Sequence, residues 1–300
     1  MSGVSVVITT HNRIQLLQRA IESARQAGSD LELVVVDDCS TDDTQEFCTS
    51  LSDIRYVRLS RNQGLACARN VGIAESSSEF IAFLDDDDLR LPGSLDKQLR
   101  VLMADHRAAF CYGQTLIGDA RRQLPTGEIY PAVLPKGDIF WDLLEHNFIP
   151  MPSVLARKST LLKEGGFNTD LSLIEDWDMW LRLSEHFLVI TVEEPVAIYR
   201  KASVSSYQMC SKSSELCKQA LRVQHMALNR SRARAAPAAK RRYVRRKFRD
   251  RAYEIVMTEA TNSIHDGDKK SARANLRDAF RFRPLRTLAS GRLPWLVALR

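Results

Sequence analysis

The sequence predicts an α/β protein, a doubly wound and mostly parallel sheet followed by a helical, basic C-terminal extension. Three observations predict it. Over the first third of the chain, short apolar or β-branched runs alternate with segments of helical periodicity, the pattern of right-handed βαβ crossovers. Three of those runs end in polar or acidic residues, as strands do at the ligand-binding edge of a parallel sheet. From Lys218 to Arg251 the chain carries thirteen basic residues and a single acid, Asp250.

The elements follow in order. Val4–Thr10 is a β-branched strand, and His11-Asn12-Arg13 is the polar turn after it. Leu16, Leu17, Ala20, Ile21 and Ala24 fall at helical spacing, with Gly28 closing the helix. Leu31–Val36 is a second buried strand and runs into Asp37-Asp38. Ser40 or Thr41 is then expected to cap a helix whose first turn holds Asp42 and Asp43, which suits the positive end of a helix dipole. A third strand is expected at Ile54–Leu59, and a helix from Leu65 to about Ser76 after the turn Arg61-Asn62-Gln63-Gly64.

The strand at 79–84 ends in Asp85-Asp86-Asp87-Asp88. Its unbroken apolar character fits burial on both faces. Pro92 then precedes a helix with Leu95, Leu99 and Leu102 on one face. Beyond it, strands are expected at Ala108–Gln114 and Phe187–Val192, and helices near 137–146 and from about Asp176. Met179, Trp180 and Leu183 near one face of the last helix read as core packing.

Composition narrows the class. A chain of 300 residues accommodates one large domain, or a domain with an appendage. Cys39, Cys48, Cys67, Cys111, Cys210 and Cys217 form no C-x-x-C pair and no regular spacing. They read as reduced thiols of a cytosolic protein, neither a disulfide framework nor a zinc site. No apolar stretch approaches the roughly 18 residues of a transmembrane helix. Val4–Ile8 is too short for a signal peptide and lacks its basic lead, so a cytoplasmic location is expected. The basic helices with apolar anchors, including Leu293–Arg300, suit peripheral contact with an anionic membrane; a solvated helical face is the alternative. Nucleic acid is disfavoured, since no recognisable binding motif is present.

Four adjacent carboxylates repel one another, so they either fan into water at a turn or gather around a hard cation such as Mg²⁺ or Mn²⁺. Two acidic clusters on one rim, Asp37-Asp38 and Asp85–Asp88, suggest a nucleotide diphosphate held with a metal. One carboxylate would accept from ribose or base, and another would hold the ion that bridges the phosphates. Neither G-x-x-x-x-G-K-[ST] nor G-x-G-x-x-G occurs, which argues against P-loop and dinucleotide sites. Displacement at carbon would further need a general base, and Glu175-Asp176 at a helix start is a candidate. A charge favoured by the helix dipole explains that pair equally well.

Five stretches in this order and spacing resemble family 2 glycosyltransferases. They are Val4–Arg13, Val35–Thr44, Asn62–Asn70, Phe83–Asp88 and Glu175–Arg182. The resemblance covers about residues 3–205. It implies a glycosyltransferase A catalytic domain over 1–205, with a donor half at about 1–107, an acceptor half at about 108–205, and a basic helical region at 206–300. It also implies an inverting, metal-dependent transfer from a nucleotide diphosphate sugar, a UDP-sugar, to a saccharide or lipid-linked acceptor in cell-surface polysaccharide or glycolipid synthesis.

By position, Thr9 and His11 would flank the base, His11 standing where the family often has Tyr, and Arg13 would join the donor site. Asp38 would accept from the base and Asp86 from ribose or sugar; Asn62 and Arg69 would shape the donor pocket. Asp87 would hold the metal, although the family's aspartate pair also fits a register that uses Asp85. Asp176 would be the general base. The Q-x-x-R-W of processive members is absent, which favours transfer of single sugars.

The rivals make different demands. A nucleotidyltransferase should carry a Gly-rich loop where this chain has Thr9–Arg13, and a D-x-D phosphatase should carry acids after the first strand. A silent scaffold binding membrane or nucleic acid would gain no stability from UDP and Mn²⁺.

Overall fold

The computed structural model describes residues 3–119, 123–200 and 213–290. The expected strand–helix alternation forms its first half. Strands β1 (Val4–Thr10), β2 (Leu31–Asp37), β3 (Ile54–Arg58) and β4 (Phe80–Asp85) pair in parallel in the order β3-β2-β1-β4. Helices α1 (Ile14–Arg25), α2 (Thr44–Ser50) and α3 (Leu65–Glu75) connect them. Every residue of β1 is buried, as are Phe80 to Leu84 of β4, so both strands are covered on both faces. Burying side chains of this size stabilises by about 1.5–3 kcal/mol each, which commits these runs to the centre of the sheet.

The sheet then continues with mixed direction. β5 (Leu89–Arg90) and α4 (Ser94–Ala104) lead to β6 (Ala108–Gly118), β7 (Pro125–Tyr130) and α5 (Phe140–Leu143). β8 (Val154–Arg157), α6 (Lys158–Lys163), α7 (Glu175–His186) and β9 (Leu188–Arg200) complete it. From β4 the order is β8-β6-β9-β5, with β7 paired to β6. β8 runs antiparallel to both β4 and β6, while β6 and β9 are parallel. Arg90, 2% exposed, ties these parts together by donating to Gln98 Oε1 (2.8 Å), Val154 O (2.7 Å) and Phe83 O (3.4 Å). Desolvation pulls its guanidinium down to about 9, and the bonds hold the backbone just ahead of the four aspartates.

Several local expectations are corrected. The helix at 137–146 shrinks to α5, because Gly137, at φ +82°, forms a β-bridge with Val189 instead. The cap of α2 is supplied by neither Ser40 nor Thr41: the helix starts at Thr44, whose N–H and hydroxyl donate to Asp42 Oδ1 at 3.2 and 2.6 Å. Thr41 N–H donates to Asn12 Oδ1 (2.7 Å), which ties this loop to the one after β1. β9 runs on to Arg200, and β8 escapes the sequence reading because four residues carry too little periodicity.

The chain divides into two compact units, Met1–Phe140 with Phe148–Lys201, and Trp141–Asn147 with Ala202–Arg300. The second contains α8 (Ser213–Leu228), α9 (Ser231–Ala235), α10 (Ala238–His265), α11 (Lys269–Phe282) and α12 (Pro284–Ala289). Ala252, Val256 and Ala260 of α10 and Ala272, Leu276 and Ala279 of α11 are all buried, and α10 and α11 pack together. Asp268 caps α11 by accepting from Lys270 and Ser271 N–H, both at 3.1 Å. Among the described residues no helix is long and apolar enough to cross a membrane. Cys39, Cys48, Cys67, Cys111 and Cys217 are free thiols; Cys210 and the segment Leu293–Arg300 lie outside the described residues.

Gly72 sets how closely α3 approaches the sheet. A Cβ there would lie 2.2 Å from Val7 Cγ1 of β1. Gly72→Ala is expected to cost about 1–3 kcal/mol in urea unfolding, and less in a Val7→Ala background where the clashing methyl is gone.

Candidate active site

The carboxyl ends of β1, β2 and β4 are joined backbone to backbone. Asp38 N–H donates to Thr10 O (2.9 Å) and Asp86 N–H donates to Thr9 O (3.2 Å). One rim therefore holds Thr9–Arg13, Asp37-Asp38 and Asp85–Asp88, as the strand register requires. Within it, most of the acids are buried. Asp86, Asp87 and Asp88 are 3%, 5% and 1% exposed, so water does little to separate their charges.

Three arginines do so instead. Arg69 of α3 donates to both oxygens of Asp85, at 2.7 and 3.0 Å, and to Glu175 Oε1. Arg13 Nη1 reaches Asp86 Oδ1 (3.1 Å) and Asp87 Oδ2 (3.2 Å). Arg200, the last residue of β9, donates through Nη2 to Asp87 Oδ2 (2.5 Å) and through its backbone N–H to Asp88 Oδ1 (2.8 Å). Asp88 Oδ2 is buried and has no hydrogen-bond partner among the described residues.

The electrostatics follow from burial. Desolvation pushes the Asp86 carboxyl up to about 7; the Asp87 charge adds to this, while Arg13 and Thr10 oppose it. Burial likewise holds Asp88 well above the ordinary carboxylate range, helped by Asp87 and Asp85. Arg69 stays firmly charged because Asp85, Glu175 and Asp176 outweigh its own desolvation. The Tyr199 hydroxyl is raised by burial and by Asp88, Asp85, Asp87 and Asp176, so it too lies within the field of both acidic groups.

Each singled-out residue can now be located. Thr9 is buried and donates to Asp85 Oδ1 at 3.2 Å; His11 is exposed, with Nε2 3.0 Å from Asn12 Nδ2. Both oxygens of Asp38 accept backbone N–H groups, from Gln63 (2.6 Å) and Gly64 (2.8 Å), so Asp38 also anchors the loop ahead of α3. Asn62 is exposed in that loop. Asp37 serves the fold, accepting from Ser40 N–H and the Tyr56 hydroxyl, both at 2.7 Å. Asp176 is half-buried in the first turn of α7, its Oδ1 accepting from Trp177 N–H (2.6 Å).

Sequence reasoning missed Arg200, Tyr199 and Gln123, whose Nε2 donates to Asp87 O at 2.7 Å. Nothing in the sequence neighbourhood of Arg200 pairs it with residues more than a hundred positions away. Only the parallel pairing of β9 with β6 and its antiparallel pairing with β5 deliver it there.

The donor set suits a hard cation through oxygen alone, since Asp85 and Asp87 offer carboxylates at the rim. Among the described residues no group of three or more His, Cys, Asp or Glu is arranged to hold a metal.

The chain belongs to glycosyl transferase family 2, whose sequence model matches residues 5–162. It is 29% identical over 199 residues to an uncharacterized glycosyltransferase of Haemophilus influenzae, covering 64% of this chain and 66% of that one. It is 32% identical over 187 residues to the putative colanic acid biosynthesis glycosyl transferase WcaA of Escherichia coli, covering 60% and 65%. Some relatives are far longer; the chain spans 27% of a Rickettsia bellii glycosyltransferase. In fold it resembles S. aureus TarS 1–349 in complex with UDP-GlcNAc, at TM-score 0.64 and 18% identity, over 96% of this chain and 83% of that one.

Two outcomes follow from the rim. The folded state holds the Asp86 proton more tightly than the unfolded chain, so stability falls as pH rises from about 4 to about 7. Asp86→Asn is expected to flatten that fall by up to about 1.4 kcal/mol per pH unit in denaturant titrations across the range. Arg69→Met leaves Asp85 and Glu175 without their shared cation, and is expected to cost about 3–5 kcal/mol, partly restored by Glu175→Gln.

Proposed function

We propose that this protein is an inverting glycosyltransferase that moves a single sugar from a UDP-sugar to an acceptor hydroxyl. The observation that carries the proposal is the link through Arg69, which joins Asp85 on the carboxyl rim to Glu175, the neighbour of Asp176. One guanidinium thereby couples a diphosphate-type site to a carboxylate suited to act as a base. The UDP-GlcNAc complex of TarS and the polysaccharide-synthesis names of WcaA and the succinoglycan protein ExoO support the reading.

In this reading residues 1–107 bind the donor, with His11 and Thr9 beside the base, Asp38 and Asn62 near the nucleoside, and Asp86 near ribose or sugar. Residues 108–205 receive a saccharide or lipid-linked acceptor. Asp176 takes the proton from the acceptor hydroxyl as its oxygen bonds to the anomeric carbon. The bond from that carbon to the diphosphate oxygen breaks on the opposite face, UDP leaves with the electron pair, and the configuration inverts. Arg69 keeps the two acidic groups in register throughout. Asp87, or Asp85 in the other register, would hold a Mg²⁺ or Mn²⁺ ion. When bound, the ion supplies positive charge for the departing diphosphate. The basic second unit would keep the enzyme at the cytoplasmic face of an anionic membrane, where such acceptors are presented.

UDP with Mn²⁺ is expected to raise the melting temperature. Asp176→Asn should keep that rise yet lose about 10²- to 10⁴-fold in transfer rate. Asp87→Asn should lose the Mn²⁺-dependent part of the rise. Full transfer by both variants in a nucleotide-sugar panel would show that the roles are misassigned.

A further inference from the structure

The second unit contains a cavity of about 350 Å³, lined by Leu221, Gln224, His225, Leu228, Arg245 and Arg249. The first four stand on α8 at i, i+3, i+4 and i+7, which places them on one face of that helix. Arg245 and Arg249 are one turn apart on α10, so they too share a face. Gln224 is buried and its Nε2 donates to Leu144 O at 3.1 Å, which fixes the floor of the cleft. Leu228 is 4% exposed and gives it an apolar wall.

Charge selects the occupant. Arg245 and Arg249 are exposed, and among the described residues no hydrogen bond or ion pair engages either guanidinium. The ion-paired acids of this unit are used elsewhere: Glu215 by Lys218, Asp250 by Arg283 and Arg286, Glu254 by Arg286, and Asp278 by Arg281. Two planar guanidiniums at helical spacing suit the bidentate recognition of a phosphate, while the His225 imidazole beside them has its Nε2 engaged 2.9 Å from Asn229 Nδ2. A free phosphate would make no use of Leu221 and Leu228, whereas a phosphate joined to a hydrocarbon stem would use both. The same unit also exposes Leu285 (81%) and Leu288 (46%), which suit an apolar surrounding better than water.

We propose that this cleft binds the phosphate headgroup of one anionic membrane phospholipid, with Arg245 and Arg249 on the phosphate and the two leucines against the stem. Capture of lipid here uses no residue of the donor site, and stands or falls apart from it.

The test titrates full-length protein with short-chain phosphatidylglycerol kept monomeric, followed by calorimetry, where one saturable site is expected. Arg245→Gln/Arg249→Gln should weaken this binding at least about tenfold. Arg242→Gln/Arg246→Gln, equal in charge and outside the cleft, should change it less than about threefold. Binding to phosphatidylglycerol–phosphatidylcholine vesicles should rank the proteins in the same order. Circular dichroism melting of both double variants separates loss of fold from loss of the site, and their response to UDP with Mn²⁺ reports the donor site separately. Equal losses in the two double variants would reduce the cleft to diffuse basic charge and overturn the proposal. So would inorganic phosphate or glycerol phosphate binding as tightly as the lipid, or an oligonucleotide displacing it at equal affinity.

Discussion

The fold depends on neutralising a line of carboxylates at the end of a buried strand. Withdrawing an ionised carboxylate from water costs several kcal/mol, and Asp86, Asp87 and Asp88 are almost wholly withdrawn. Arg13 and Arg200 meet Asp86 and Asp87, and Arg69 meets the adjoining Asp85, each from a different segment of the chain. Each arginine therefore does two things at once. It offsets charge, and it fastens its own segment to the rim. Burial also raises the Asp86 and Asp88 carboxyls above the ordinary carboxylate range.

This arrangement shapes what the rim can accept. Asp87 Oδ2 is shared by Arg13 and Arg200, so a cation taking that oxygen would compete with both. Arg13 has side-chain exposure of 34% and has room to withdraw; Arg200, at 7%, is held by its strand. Arg69 is different again. It is buried against the Phe167 ring and bonded to two carboxylates, a setting that favours a fixed strut. Of the two guanidiniums on Asp87, that of Arg13 is the more exposed and the better placed to meet added negative charge.

Much of this was legible beforehand because the physics involved is local. β1, β2 and β4 announce themselves by continuous apolar runs, and a parallel sheet puts all their carboxyl ends on one edge. Asp85–Asp88 therefore had to share a rim with Thr9–Arg13 whatever the rest of the chain did. Short or irregular elements were harder. β8 has four residues, Gly137 trades a helix for a β-bridge, and the start of α2 is tied to Asp42 while Ser40 and Thr41 bond Asn12.

Asp85–Asp88 shows where the division falls. By itself the sequence determined that four carboxylates follow a buried strand, and that they lie beside the other polar strand ends. Periodicity and the handedness of crossovers suffice for that. Which charges balance them was decided by tertiary structure, because Arg200 reaches Asp87 only after β9 is in place, just as Glu175 reaches Arg69 only after α7 is. Ion pairing depends on distance in space, and no spacing along the chain encodes the meeting of Asp87 with a residue more than a hundred positions away.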